Sequence, residues 1–236
     1  MAAVRLVVCP ASDSQHVALR LLPRLLALLV LALLPRSIPI FPWQVYTFRA
    51  GSFTVHAPRH LLPPASCILP PASSHLPPDW HVTASVLADV TYDGVPEWVL
   101  VVWRPWRDWP IQRWLPVPSP IAGFHDAAGD SCHLILIDPD DGREIWAGSA
   151  LPVPLVTIAV GDVDGDGRNE VVTLEGDYRT GRGGRATHVG VWRWEDFGFV
   201  MEWRSPAGTF EGAISGPPRL CLTDVDKDGI LDVAVR

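Results

Sequence analysis

The sequence has few of the features that mark thiolate-metal, redox or nucleic-acid-binding proteins. Its four cysteines form no C-x-x-C pair, so neither a cysteine zinc site nor a thioredoxin-type pair is supported. The net charge is −7 and the globular part has no block of lysine and arginine, which argues against a nucleic-acid partner. The chain has only three tyrosines and no evident catalytic pair. For Cys132 and Cys221 two alternatives stay open, a disulfide or inert buried thiols, and the second is favoured.

The sequence also lacks an apolar run long enough to cross a membrane. The run at residues 25–34 (LLALLVLALL) follows several arginines and ends before Pro35-Arg36. This length suits the core of a signal peptide and falls short of the roughly 20 residues that span a bilayer. Residues 1–34 therefore predict an apolar N-terminal helix that directs export to the cell surface or the extracellular space. Since no A-x-A cleavage site follows, an uncleaved membrane anchor is the alternative.

The composition of the chain changes near residue 80. Prolines recur without a period over residues 35–79, which predicts a semi-rigid, extended linker. From Trp80 onward, short apolar runs rich in Val, Ile, Leu and Trp alternate with Asp/Gly turns, as is typical of antiparallel strands. Turns at 139–142 and 195–198 each join the two strands of a predicted hairpin. The fold class predicted for residues 80–236 is therefore all-β.

Three acidic segments within this region align without gaps. They begin at Asp89, Asp162 and Asp224 and share the pattern D-x-[DT]-x-D-G-x-x-[DE], with an apolar run on each side. Calcium takes about six to eight oxygen ligands, which such a loop can supply from side chains at positions 1, 3, 5 and 9 and from the carbonyl at position 7. Glycine at position 6 permits the sharp bend. The repeated pattern predicts calcium-binding loops, here called loops 1, 2 and 3.

The candidate ligands follow from these positions. In loop 2 they are the side chains of Asp162, Asp164, Asp166 and Glu170 and the carbonyl of Arg168. In loop 3 they are the side chains of Asp224, Asp226, Asp228 and Asp232 and the carbonyl of Ile230. In loop 1 they are the side chains of Asp89, Thr91, Asp93 and Glu97 and the carbonyl of Val95. Because loop 1 has threonine at position 3, it either binds an ion weakly or only keeps the turn.

The chemistry of this donor set narrows the choice of ion and of fold. An all-oxygen site does not favour zinc or copper, and carboxylates this close repel one another without a cation. An EF-hand begins with the same D-x-D-x-D-G pattern but needs a glutamate at position 12 and a helix on each side. Position 12 is Thr173 in loop 2 and Val235 in loop 3, and the flanks are β-rich. The EF-hand is therefore excluded.

The segments AVGDVDGDGRNEVV and LTDVDKDGILDVAV, with ADVTYDGVPEWVL as a diverged copy, resemble FG-GAP/VCBS repeats. These repeats form the calcium-loop blades of integrin α propellers and of many bacterial extracellular proteins. The resemblance covers roughly residues 82–236 and implies a partial β-propeller in which each loop joins the first two strands of a blade. We expect about two and a half four-stranded blades, at 82–150, 155–205 and 217–236. A closed propeller needs at least about four blades, so Leu231–Val235 is predicted to be an open edge available for self-association.

The predicted function is that of an exported calcium-binding repeat protein, a binding, adhesion or structural module and not an enzyme. Tryptophan and arginine alternate within 103–133 and could contact a protein or glycan ligand, although Arg–Trp stacking onto the fold is the simpler interpretation. The alternative is a truncated propeller-class enzyme, such as a polysaccharide lyase, a hydrolase or a quinoprotein. No known catalytic spacing fits the neighbouring polar residues His125, Asp126, Ser131, Cys132 and His133.

Overall fold

A computed structural model of the protein describes residues 44–49, 52–55, 76–110, 114, 117–182, 185–207 and 220–235. All of them belong to one compact unit, Phe41–Arg236. The predicted N-terminal helix and export segment, 1–34, lies outside the described residues. The described residues form twelve strands and one short 3-10 turn at Tyr178–Thr180. The strands are β1 Gln44–Arg49, β2 Ser52–Val55, β3 His81–Ala88, β4 Glu97–Pro105, β5 Asp130–Ile137, β6 Glu144–Ala147, β7 Leu155–Gly161, β8 Glu170–Glu175, β9 His188–Glu195, β10 Gly198–Arg204, β11 Leu220–Thr223 and β12 Asp232–Val235.

The strands assemble into three four-stranded antiparallel sheets, which confirms the predicted all-β class. Sheet I has the order β3-β4-β5-β6, sheet II the order β7-β8-β9-β10, and sheet III the order β11-β12-β1-β2. In sheets I and II each strand pairs with its neighbour in sequence, as expected for short apolar runs joined by tight turns. The two predicted hairpin turns join β5 to β6 and β9 to β10.

Sheet II is covered on both faces. Strand β8 is buried along its whole length, and its successive side chains point to opposite faces. Val171 packs with Val99 and Trp103 of sheet I in one apolar cluster. Val172 packs with Val233 of sheet III in another. Sheets I, II and III therefore stack face to face, and the burial of both faces of β8 extends to its polar residues Glu170, Thr173 and Glu175.

Aromatic side chains close the contact between sheets I and II at the hairpin ends. The Trp146 ring on β6 lies edge-on to Trp194 at 5.6 Å and to Phe199 at 5.5 Å between centroids. Its indole N–H donates to the carbonyl of Phe197 in the β9–β10 turn. Edge-to-face packing of this kind adds about 0.5–1.5 kcal/mol per pair beyond the buried area. The cluster fixes the β9–β10 hairpin against β6.

The segment predicted as a linker, 35–79, contains two strands, so that prediction was wrong in part. Strand β1 pairs with β12 through Gln44↔Val235 and Tyr46↔Val233, and β2 pairs with β1. The predicted half-blade 217–236 thus supplies β11 and β12 to a four-stranded sheet. A strand left at the edge of a sheet exposes unpaired N–H and C=O groups, and a segment rich in β-branched and aromatic residues can pair with them. The edge predicted to be open at Leu231–Val235 is accordingly occupied, because β12 lies between β11 and β1.

Candidate cation-binding loops

Each acidic loop joins the first two strands of its sheet. Loop 1 connects β3 to β4, loop 2 connects β7 to β8, and loop 3 connects β11 to β12. The last residue of each pattern, at position 9, is the first residue of the second strand and is almost fully buried. Those residues are Glu97, Glu170 and Asp232. The sheets therefore hold one carboxyl group of each loop rigidly beneath the turn.

The three loops share the same internal hydrogen bonds. In loop 2, Oδ2 of Asp162 at position 1 accepts from the N–H of Gly167 at 3.0 Å, and Asp166 Oδ1 accepts from the N–H of Arg168 at 2.8 Å. Loops 1 and 3 repeat both bonds at the corresponding positions. In all three, the position 9 carboxylate also accepts from the N–H of position 2 at 2.9 to 3.0 Å. The repeat seen in the sequence is thus a repeat of conformation.

Two positions in each loop adopt the left-handed backbone conformation. At position 6 the φ angles are 88°, 86° and 91°, at Gly94, Gly167 and Gly229. At position 4 the φ angles are 65°, 83° and 64°, at Tyr92, Gly165 and Lys227. Non-glycine residues rarely adopt positive φ. The sequence pattern predicts the glycine at position 6 but has no signal at position 4, which only loop 2 fills with glycine.

The turns bring some of the predicted ligands together. In loop 2, ligand oxygens of Asp162, Asp164 and Glu170 all lie within 4.8 Å of one another. Matching groups in the other loops are Asp89, Asp93 and Glu97, and Asp224, Asp226 and Asp232. These acidic clusters, each with one buried carboxylate, could hold a metal ion. The predicted ligands Asp166 and Asp228, at position 5 of loops 2 and 3, lie outside the groups, and each accepts from the N–H at position 7.

Glu170 is the least satisfied of these carboxylates. Its side chain is fully buried, and Oε2 accepts from the N–H of Val163 at 3.0 Å. Oε1 has no hydrogen-bond partner among the described residues. Burial, reinforced by the charges of Asp164 and Asp166, raises the pKa of Glu170 to about 8. A buried oxygen without a partner is costly, and a bound cation would satisfy it.

Loop 1 satisfies the equivalent carboxylate from within the protein. One oxygen of Glu97 accepts from the N–H of Val90 at 3.0 Å, and the other accepts from the Thr91 hydroxyl at 2.7 Å. Thr91 occupies the position at which loops 2 and 3 have aspartate. Its hydroxyl therefore supplies the hydrogen bond that Glu170 lacks in loop 2.

Direct contacts join the three loops into a row. The Asn169 side chain of loop 2 donates to the Asp89 carbonyl of loop 1 at 2.8 Å, and the Tyr92 hydroxyl donates to the Asn169 carbonyl at 3.2 Å. The Arg168 guanidinium lies 5.0 Å from the centre of the Tyr92 ring. Burial and the nearby Glu170 raise the pKa of Tyr92 to about 12. On the other side, the N–H of Leu231 in loop 3 donates to the carbonyl of Asp162 at 3.3 Å. The sequence has no signal for these contacts, which depend on the stacking of the sheets.

Among the described residues, the polar side chains singled out in segment 103–133 are held by hydrogen bonds within the protein. Ser131 Oγ lies 2.8 Å from Nε2 of His133, whose Nδ1 lies 2.9 Å from the carbonyl of Gly148. Burial is the main cause that lowers the pKa of His133 to about 4. Because Ser131 is fully buried, its hydroxyl is not accessible to a substrate. His125 and Asp126 lie instead in the turn before β5, where the Asp126 carboxylate accepts from two backbone N–H groups.

The described cysteines are not bonded to each other. Cys132 and Cys221 are both free and buried, so the disulfide considered from the sequence does not form. Burial raises the pKa of Cys132 to about 12 and that of Cys221 to about 11. Both thiols are therefore protonated and inert at neutral pH.

Comparison with protein-family models, with curated proteins and with solved structures finds no match for this chain. Within the described ranges, no helical segment has the length and apolar character that a membrane crossing requires.

Proposed function

We propose that the chain is an exported calcium-binding repeat protein of the FG-GAP/VCBS β-propeller type, acting as a binding or adhesion module and not as an enzyme. The loop geometry supports a hard cation, since every candidate ligand is an oxygen. Calcium accepts irregular sets of carboxylates and carbonyls, whereas magnesium requires nearly ideal octahedral geometry and keeps several waters. The apolar run at 25–34 supports export.

The observation that carries the proposal is the environment of Glu170. Its Oε1 atom is buried and has no hydrogen-bond partner among the described residues. One oxygen of the Glu170 carboxylate lies within 4.8 Å of carboxylate oxygens of Asp162 and Asp164. Water would solvate an ordinary acidic turn, and its carboxylates would point outward. Here sheet II instead buries the carboxylate of Glu170 beneath those of Asp162 and Asp164, an arrangement that a divalent ion stabilises.

The arrangement of the sheets favours propeller blades. Each sheet has four antiparallel strands, with an acidic loop between its first and second strand. The first strand of sheet II, β7, contacts the first strands of the other two sheets, β3 and β11. In a propeller the first strands of neighbouring blades meet in this way near the axis.

We further propose that loops 2 and 3 bind calcium strongly and that loop 1 keeps its shape without an ion. Loops 2 and 3 both have aspartate at position 3, whereas in loop 1 the Thr91 hydroxyl bonds to Glu97. The full chain should then bind about two calcium ions, with loop 1 contributing little.

Calorimetric titration of the full, chelator-treated chain with calcium tests the proposal. Asp164→Asn and Asp226→Asn should each remove one site, and the double variant should remove both. Asp140→Asn, in the exposed β5–β6 turn, is a matched control that should change neither number nor affinity. Absence of saturable uptake by the wild-type protein at millimolar calcium would overturn the assignment, as would full uptake by the double variant.

A further inference from the structure

A cleft opens on the face of sheet I that is turned away from sheet II. Trp103 of β4 packs toward sheet II, so the next residue, Arg104, points to the opposite face. There it lines a cavity of about 450 Å³, at the end of β4 distant from loop 1. The other lining residues include Trp80, Trp109 and His133. Cavities of about 300–1,000 Å³ are the size that small ligands occupy.

Arg104 is a half-buried cation without a carboxylate partner. No carboxylate oxygen among the described residues lies within the 4.0 Å that defines an ion pair with its guanidinium, although the more distant Glu144 and Asp79 act on its charge. Burial lowers the pKa of Arg104. The Trp80 ring lies 5.6 Å from the guanidinium carbon and stacks on it. Stacking on the indole restricts rotation of the guanidinium, so its N–H donors keep a fixed orientation.

The nearest polar side chain does not satisfy this guanidinium. Arg104 Nη2 lies 3.3 Å from Nδ1 of His133, but Nδ1 lies only 2.9 Å from the carbonyl of Gly148 and is best assigned as a donor to it. Ser131 Oγ, 2.8 Å from Nε2, then donates to that nitrogen. In this tautomer His133 presents an N–H, and not a lone pair, toward Arg104. Among the described residues, the Arg104 guanidinium therefore has no acceptor within hydrogen-bond distance.

The remaining charges at the cleft are already engaged or exposed. Asp79 lies 3.9 Å from Arg107, and both side chains are largely solvated. The Asp108 carboxylate accepts from the backbone N–H of Trp109 at 2.8 Å. The indole of Trp109 is 44% exposed, although large aromatic side chains are usually covered. The cleft thus combines one unpaired guanidinium with two indole rings.

We propose that this cleft binds a carboxylate-bearing saccharide, whose carboxylate pairs with Arg104 while a sugar ring lies against Trp109. The planar guanidinium matches a carboxylate with two parallel hydrogen bonds. The flat indole faces suit the C–H face of a sugar ring better than the irregular surface of a peptide. The inference supplies a ligand class for the proposed binding module. It rests on residues outside the acidic loops, so the two proposals can fail separately.

Titration of the full chain with a short galacturonic acid oligosaccharide tests the inference, at fixed free calcium and with tryptophan fluorescence as the signal. The matched probe is the same oligosaccharide with its carboxyl groups reduced to alcohols. We expect the reduced form to bind at least about tenfold more weakly, because it loses the charge-assisted pair. Equal binding of the two forms, or no saturable binding of the acidic form at millimolar concentration, would overturn the inference.

Variants connect the binding to the cleft. Arg104→Gln should weaken binding of the acidic form about tenfold, and Trp109→Ala should weaken both forms. Arg193→Gln, on β9 and paired with Glu195, is the control and should change nothing. Arg104→Lys keeps the charge without the planar fork and should bind with intermediate affinity, which separates loss of recognition from a folding defect. Calcium uptake should persist in every variant. Unchanged affinity in Arg104→Gln contradicts the inference, and so does Arg104-dependent binding of a peptide C-terminus in place of the saccharide.

Discussion

Replacement of Glu170 by glutamine should have opposite effects on stability with and without calcium. In the structure this carboxyl group is fully buried, and one oxygen has no partner among the described residues. Burial is the main cause that raises its pKa from 4.5 to about 8. Glutamine has nearly the same shape but does not ionise, and its amide group can donate a hydrogen bond to Asp162 or Asp164.

The sign and size of the effect follow from linkage. A carboxyl group whose pKa is higher in the folded state ionises more easily in the unfolded chain. Below the unfolded pKa of 4.5 this group therefore leaves the free energy of unfolding unchanged. As the pH rises from 4.5 toward 8, it lowers the free energy of unfolding steadily. The cost grows by about 1.4 kcal/mol per pH unit and reaches about 3 kcal/mol near pH 7. The Glu170→Gln variant avoids this cost.

Denaturant unfolding of the full chain, in chelator and in millimolar calcium, measures the effect. In chelator near pH 7 the Glu170→Gln variant should be more stable than the wild type by up to about 3 kcal/mol, and the difference should vanish toward pH 4.5. In calcium the order should reverse, because loop 2 has lost a ligand. Asp140→Asn should follow the wild type throughout. Equal stabilities in chelator would refute the buried, unpartnered carboxylate, and an undiminished gain from calcium would refute its role as a ligand.

Three further predictions concern other parts of the protein. Thr91→Asp should convert loop 1 into a third calcium site, and unchanged stoichiometry by calorimetry would contradict the role given to this hydroxyl. Arg204→Met should destabilise the protein by about 3 kcal/mol, since Arg204 Nε donates at 2.6 Å to the fully buried Glu175. The control variant Arg193→Met should destabilise it by less than about 1 kcal/mol. Equal denaturation midpoints for the two variants would disprove the difference. Cys132 should resist thiol reagents until denaturant is added, so rapid labelling located at Cys132 by peptide mass analysis of the native protein would contradict its burial.

Local pattern was enough to predict the all-β class and the hairpins of sheets I and II. Runs such as HLILI and EVVTL alternate with Asp/Gly turns, and each strand pairs with its neighbour in the chain. The pairing of β1 with β12 joins residue 44 to residue 235 and has no local signature. Edge-to-edge pairing depends on which strands the fold leaves free, so a proline-rich sequence around β1 was interpreted as linker.

The candidate site likewise has some features that the sequence predicts and others that only the assembled fold creates. Spacing alone predicted the carboxylates at positions 1 and 9, because the turn that they stabilise is local. It did not predict the orphaned oxygen of Glu170, which exists because sheet II is covered on both faces. Nor did it predict the bridge from Asn169 to Asp89, which requires loops from two different sheets to meet. Burial and contact between sheets are properties of the assembled fold.

The most direct measurement is an anomalous difference map from crystals of the full chain grown in calcium. The account predicts a strong peak in loop 2 at about 2.3–2.6 Å from Glu170 Oε1 and from the carboxylates of Asp162 and Asp164, and a second peak in loop 3. Calcium-loaded crystals with no density at loop 2, or with Glu170 Oε1 hydrogen-bonded to protein in place of an ion, would contradict it.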